Sequence, residues 1–153
     1  MKSYILLLLI CINFLKANGQ INKEIVGKWK VISVTTSEFY IDLKTDSCSI
    51  YEKLKSHYPY IDDQKKIILE AKKLYSWQVQ FSRDGIFNQY SKNNSVHEGK
   101  YDIDTGLSIL TIHDKDASEN DKGEKIKIYF KDGKLYQLFE NDGDSQILVL
   151  ERQ

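Results

Sequence analysis

The chain has 153 residues, of which 22 are basic and 22 acidic, so it carries no formal net charge. This length fits one domain. The charge balance leaves no excess of basic residues that would attract nucleic acid or anionic membranes. Ten Tyr, six Phe and two Trp against a single Pro favour a β-rich folded domain over a disordered chain.

Residues 1–19 have the pattern of a secretory signal peptide. Lys2 provides the positive start, an apolar run follows, and Ala17 and Gly19 are small residues at the two positions that a signal peptidase reads. We therefore expect cleavage before Gln20 and a secreted or periplasmic protein. The apolar run is short for a membrane anchor, so no stable span is expected after cleavage.

The two cysteines limit the covalent chemistry of the chain. Cys11 lies inside the apolar run and follows Ile10 rather than a small residue, so a lipoprotein signal is not expected. The mature chain keeps Cys48 alone, and it therefore cannot form an internal disulfide bond. Cys48 is either a small buried hydrophobe, which we favour, or a surface thiol.

The elements begin with a strand and continue with a helical insertion. Alternating apolar positions over residues 27–34 predict the first strand. At about residues 46–74 the apolar spacing becomes helical. Ser49 followed by Glu52 matches a capping box, and Asp62 can cap a second helix. We therefore predict two short helices, which would cover the mouth or the wall of the structure that follows.

From Trp77 onward the pattern is that of strands joined by tight turns. Asp-Gly pairs at residues 84–85, 132–133 and 142–143 predict hairpins. About eight strands result, and a meander of this size exposes two edges unless it closes on itself. A sandwich remains the main alternative. We predict an all-β fold in one domain, residues 20–153: an eight-stranded up-and-down antiparallel β-barrel with a two-helix insertion after the first strand.

Several of these residues resemble a known family. Gly27-x-Trp29 on the first strand resembles the signature of lipocalins, and Arg152 on the last strand matches by position the arginine that lipocalins place across that Trp. The series from Trp77 to Glu151 is similar to lipocalin-like domains of small exported bacterial proteins. The resemblance implies a barrel sealed at one end by the Trp–Arg contact. Unlike in classical lipocalins, we expect a helical insertion and no helix after the barrel.

The alternation also predicts which side chains face the barrel interior and could line a ligand pocket. These candidates are Trp77, Val79, Phe81, Tyr101, Ile103, Ile126, Ile128, Phe130 and Phe139, with Val149 expected beside them. They could fill a solid core or surround an apolar cavity. Tyrosines around the insertion could rim such a cavity or simply seat the helices on the barrel.

Catalytic and metal chemistry has little support in the sequence. His57, His97 and His113 lack the spacing of a zinc site, and the acidic loop after residue 113 lacks the order of a calcium loop. No nucleophile motif or nucleotide fingerprint occurs. We therefore expect neither an enzyme nor a cofactor.

The functional prediction is an exported lipocalin-like protein that holds a small hydrophobic ligand in its barrel. The alternative is a protein-interaction module of the inhibitor or immunity type, which binds an envelope partner through its outer wall and its inserted helices.

Overall fold

The fold is a closed antiparallel β-barrel with an insertion after its first strand. A computed structural model describes residues 23–91, 96–118, 121–141 and 143–153. The elements are β1 (Gly27–Thr35), β2 (Phe39–Asp42), β3 (Ser47–Ile50), α1 (Glu52–His57), α2 (Ile61–Leu74), β4 (Gln78–Phe81), β5 (Ile86–Tyr90), β6 (Val96–Asp104), β7 (Ile109–Asp114), β8 (Glu124–Lys131), β9 (Lys134–Asn141) and β10 (Asp144–Arg152).

The barrel consists of β1 and β4 to β10. Each of these strands pairs with the next barrel strand along the chain, and β1 therefore pairs with β4. The ring closes because β10 pairs with β1, with Trp29 opposite Arg152 and Thr35 opposite Ile147. Closure satisfies the edge groups that an open meander would leave unpaired. The predicted eight-stranded barrel is confirmed, and the sandwich alternative is wrong.

The end of the barrel that contains Trp29 is sealed. Residues 23–25 are helical and place the fully buried Ile25 beneath the barrel. The Trp29 indole N–H donates to the Ile25 carbonyl at 2.6 Å, and the Arg152 guanidinium lies 4.7 Å from the centre of the Trp29 ring. The Nη2 group of Arg152 also donates to the carbonyl of Glu24. The predicted contact between Trp29 and Arg152 is therefore confirmed.

The opposite end, which we call the mouth, lies where β5 ends and β8 and β10 begin. On one edge of β1, β4 pairs only with Gly27–Lys30, and β2 pairs with residues 33–35. Because β4 is short, the wall near the mouth passes from β4 to the hairpin of β2 and β3. The chain between α2 and β4 lies at this junction, where the Val31 N–H donates to the carbonyl of Trp77 at 3.3 Å.

The insertion differs from the prediction in its first half. Ser47–Ile50, expected to be helical, form β3, which pairs with β2. Ser49 is therefore not a cap: Tyr51 occupies the N-cap position of α1, and no side chain caps it. Tyr60 likewise precedes α2 without a side-chain cap, so Asp62 lies in the first turn instead of capping the helix. Cys48, expected to be buried, is exposed on β3.

The apolar core lies inside the barrel and continues beneath the insertion. Leu54 of α1 and Ile68 and Ala71 of α2 are buried in the same apolar cluster as the barrel strands. The buried barrel residues are Trp29, Val31, Val34, Val79, Phe81, Phe87, Tyr101, Leu110, Ile126, Ile128, Leu135, Leu148 and Leu150. Val149, expected inside, lies between two buried leucines and is itself only half-buried, so alternation places it on the outer face.

The predicted signal peptide, residues 1–19, and its cleavage site before Gln20 lie outside the described residues. Within the described ranges, no helix combines the length and the apolar character that crossing a membrane requires.

Candidate functional site

A cavity of about 290 Å³ occupies the mouth half of the barrel. It lies above the Trp29 core, between the interior faces of six barrel strands and the end of α2. Its lining residues are Leu74, Tyr75, Trp77, Val79, Phe81, Phe87, Gln89, Ile112, Glu124, Ile126, Gln137, Phe139, Gln146 and Leu148. The interior is therefore a solid core at one end and a small, mainly apolar chamber at the other.

The end of α2 forms one wall of this cavity. Leu74, Tyr75 and Trp77 line it from the junction beside β1, where no strand of the barrel is available. The Tyr75 hydroxyl donates to the side-chain oxygen of Gln146 on β10 at 2.8 Å. Burial raises the pKa of Tyr75 above its usual value of 10.0, so the hydroxyl stays protonated and can donate at neutral pH. This bond connects the insertion to the far side of the mouth.

Exposed ion pairs hold the rest of the insertion against the barrel. The Lys53 ammonium on α1 lies 2.6 Å from a carboxylate oxygen of Asp144 at the start of β10. Hydrogen bonds from Lys53 and Ser37 hold the pKa of Asp144 below its usual 3.8. His57 lies 3.2 Å from Glu38. Exposed pairs of this kind contribute little stability each, but both fix the position of α1 beside the mouth.

Four polar side chains line the cavity. Gln89, Gln146 and Glu124 lie near the mouth and are at least partly open to solvent. Gln137 lies deeper and is only 2 % exposed. Its neighbours across the adjacent strands are Ile128 and Leu148, which offer no side-chain hydrogen-bonding group.

The predicted pocket residues separate into three groups. Trp77, Val79, Phe81, Ile126 and Phe139 line the cavity. Ile128 is buried in the core below it, and Phe130 packs against Trp29 with the ring centres 6.0 Å apart. Tyr101 and Ile103 instead border an open surface groove at the sealed end.

That groove measures about 870 Å³ and is larger than the interior cavity, but it is a surface feature. Three cations, Lys23, Arg83 and Arg152, share its border with Asp102. The Arg152 guanidinium is already engaged by Trp29 and by the Glu24 carbonyl. The interior cavity is the better candidate site, because buried and mainly apolar side chains of the barrel line it.

The glutamines are the site residues that the sequence prediction missed. Gln137 lies between Leu135 and Phe139, and Gln146 precedes Leu148 by two positions, so the period of two already assigned each of them to the inner face. A polar residue at an inner-face position is the signal that could have identified both glutamines as site residues. The prediction counted only apolar residues as interior.

The histidines pair with acids on the surface. Besides His57, His97 lies 2.8 Å from Asp114, and His113 lies 3.9 Å from Asp102. Among the described residues, no three His, Cys, Asp or Glu side chains come together in a way that could hold a metal ion.

These features define a closed antiparallel barrel with a small interior cavity and an insertion at its mouth. No protein-family model matches the chain, and no curated protein matches it. Among solved structures, a DUF4847 family protein from Bacteroides vulgatus ATCC 8482 is similar, with a TM-score of 0.52 and 14 % sequence identity. The match covers 84 % of this chain and 95 % of that protein. At this identity the likeness shows a shared fold.

Proposed function

We propose that the protein is an exported, lipocalin-like binding protein that holds one compact, mainly apolar small molecule in the mouth half of its barrel. The observation that carries the proposal is the cavity at the mouth, which Val79, Phe87, Ile126 and other apolar side chains line. Ligand sites of proteins are concave and mainly apolar, with a few polar groups that fix orientation. Export rests on the signal-like pattern of residues 1–19.

The size of the cavity restricts the ligand. Its volume of about 290 Å³ lies at the lower end of the range for small-molecule sites. A dry cavity of roughly 150 Å³ is enough for benzene, so this one suits a molecule of one or two fused rings. An extended fatty acid would have to leave much of its chain outside the barrel.

The test uses naphthalene, an uncharged two-ring probe, and the chain without residues 1–19. We expect saturable binding, with NMR shifts concentrated at cavity residues such as Val79 and Ile126. Leu148→Phe should fill the cavity and abolish binding. Val149→Phe, one residue along on the outer face, should leave it intact. Absence of saturable binding to the wild-type protein would refute the proposal.

A second candidate is the interaction module, and the exposed apolar side chains of the insertion favour it. Tyr60, Ile61 and Leu69 are 72 %, 66 % and 54 % exposed, and such residues occur at protein-binding surfaces. If the insertion binds an envelope partner, the double variant Ile61→Lys and Leu69→Lys should lose co-purification from envelope extracts and keep naphthalene binding. Unchanged co-purification would argue against this function.

A further inference from the structure

Gln137 places an unpaired amide inside the barrel. Gln137 is only 2 % exposed and lies on the inner face of β9. Within the described part of the chain it makes no side-chain hydrogen bond, and no polar side-chain atom there is both unbonded and sealed off from open space. The Gln137 amide must therefore face the cavity that it lines.

An amide on an apolar wall without a protein partner destabilises a fold unless water or a bound molecule supplies its hydrogen bonds. Leucine would fit the surroundings of Gln137 better, since the adjacent strands present Ile128 and Leu148. The amide offers one acceptor oxygen and two donor hydrogens side by side. A bound molecule with a complementary acceptor and donor would satisfy it.

The charge of the lining limits the ligand further. No Lys, Arg or His lines the cavity among the described residues, and Glu124 places a carboxylate at the mouth. An anionic ligand would lose its hydration without gaining a cation. A neutral ligand avoids this loss.

We propose that Gln137 recognises a neutral ligand of one or two rings whose edge carries an adjacent hydrogen-bond donor and acceptor, as in a lactam or a carboxamide. The inference rests on the proposed function, because it names the chemistry of the ligand for the same cavity. Gln137 is then the residue that determines specificity, and the apolar lining supplies affinity for any ring of suitable size.

The experiment compares three two-ring probes by calorimetry: 2-quinolinone, a neutral lactam; naphthalene, which has the same ring frame without polar groups; and 2-naphthoate, an anion. The wild-type protein should bind 2-quinolinone about tenfold more tightly than naphthalene, as expected for one buried amide pair. It should bind 2-naphthoate more weakly than naphthalene. In Gln137→Leu the preference for the lactam should vanish while naphthalene still binds.

The control is Gln80→Leu, which alters a glutamine on the outer face of β4 and should keep the wild-type preference. A second measurement needs no variant: the side-chain N–H resonances of Gln137 should shift on addition of 2-quinolinone and stay in place with naphthalene. Equal affinities for the two probes, unmoved Gln137 resonances or tighter binding of 2-naphthoate would overturn this inference and leave the proposed function standing. Failure of every probe to bind would overturn both.

Discussion

At the scale of single residues, Gly99 shows how closely the barrel packs. A methyl group built on Gly99 would lie 2.5 Å from the ring of Phe87 and 2.2 Å from the carbonyl oxygen of His113. The Phe87 ring therefore lies directly over the backbone of β6, and this brings the ring into the cavity wall. Only a residue without a side chain allows this approach.

We predict that Gly99→Ala destabilises the protein by about 1–3 kcal/mol, because the added carbon forces the Phe87 ring and the neighbouring strand apart. Urea unfolding measures the change. Gly106→Ala is the matched control, since the nearest atom to its added carbon is an Asp104 oxygen at 3.4 Å. Equal effects of the two substitutions would contradict the packing argument.

Sequence reasoning identified single interior residues well where they are apolar. Val79, Phe81 and Ile126 lie inside as the alternation predicted. It failed for Val149, because apolar type alone did not reveal which face of β10 points inward. The prediction also left out Gln137, because its place in the site depends on a cavity that no local sequence pattern encodes.

At the scale of elements, the insertion is the part that the sequence specified least. The helices were predicted, but the hairpin of β2 and β3 was not, since Ile50 and Tyr51 also fit helical spacing with Leu54. β4 leaves residues 33–35 of β1 without a partner on this edge. The segment forms a hairpin instead of a helix because β2 then pairs with these residues. That pairing comes from the tertiary structure and is invisible in a local window.

The bond between Tyr75 and Gln146 gives the insertion a testable role. We predict that Tyr75→Phe lowers the free energy of unfolding by about 0.5–1.5 kcal/mol, the net value of one hydrogen bond, and speeds the dissociation of naphthalene in stopped-flow fluorescence. Tyr51→Phe, at a tyrosine 39 % exposed on the outside of the insertion, should change neither quantity. An unchanged dissociation rate in Tyr75→Phe would show that this contact does not control exchange.

The raised pKa of Tyr75 adds a pH dependence. Because the folded pKa lies above the usual 10.0, the unfolded chain ionises first as the pH rises, and the contribution of Tyr75 is complete below pH 10.0 and lost above it. The difference in stability between wild type and Tyr75→Phe should therefore shrink at alkaline pH. Chemical unfolding of both proteins across this range measures it, and a constant difference would contradict the assigned burial.

At the scale of the whole molecule, closure depends on the meeting of the first and last strands. The turns and the strand count predicted the barrel, and the resemblance of Trp29 and Arg152 to the Trp–Arg pair of lipocalins predicted where it closes. The volume left inside was beyond prediction, because it depends on how side chains from eight strands fill a space whose width the strand tilt sets.

We predict that Arg152→Ala destabilises the barrel by about 1–2 kcal/mol, because it removes the cation over Trp29 and the donor to the Glu24 carbonyl. Arg83→Ala, at an exposed arginine in a turn, should stay within about 0.5 kcal/mol of wild type. Thermal unfolding of the three proteins distinguishes the cases. A loss no larger for Arg152→Ala than for Arg83→Ala would mean that the sealed end does not depend on this arginine.

On one edge, β1 pairs with β4 along residues 27–30 and with β2 along residues 33–35. This arrangement affects how a ligand can enter the cavity. At the seam between β4 and β2, the Val31 N–H donates to the Trp77 carbonyl, which joins β1 to the chain after α2. The side chains of Leu74, Tyr75 and Trp77 line the cavity beside this bond. Breaking the bond and moving these side chains would open the wall while the paired barrel strands stay together, so we expect a ligand to enter by this route.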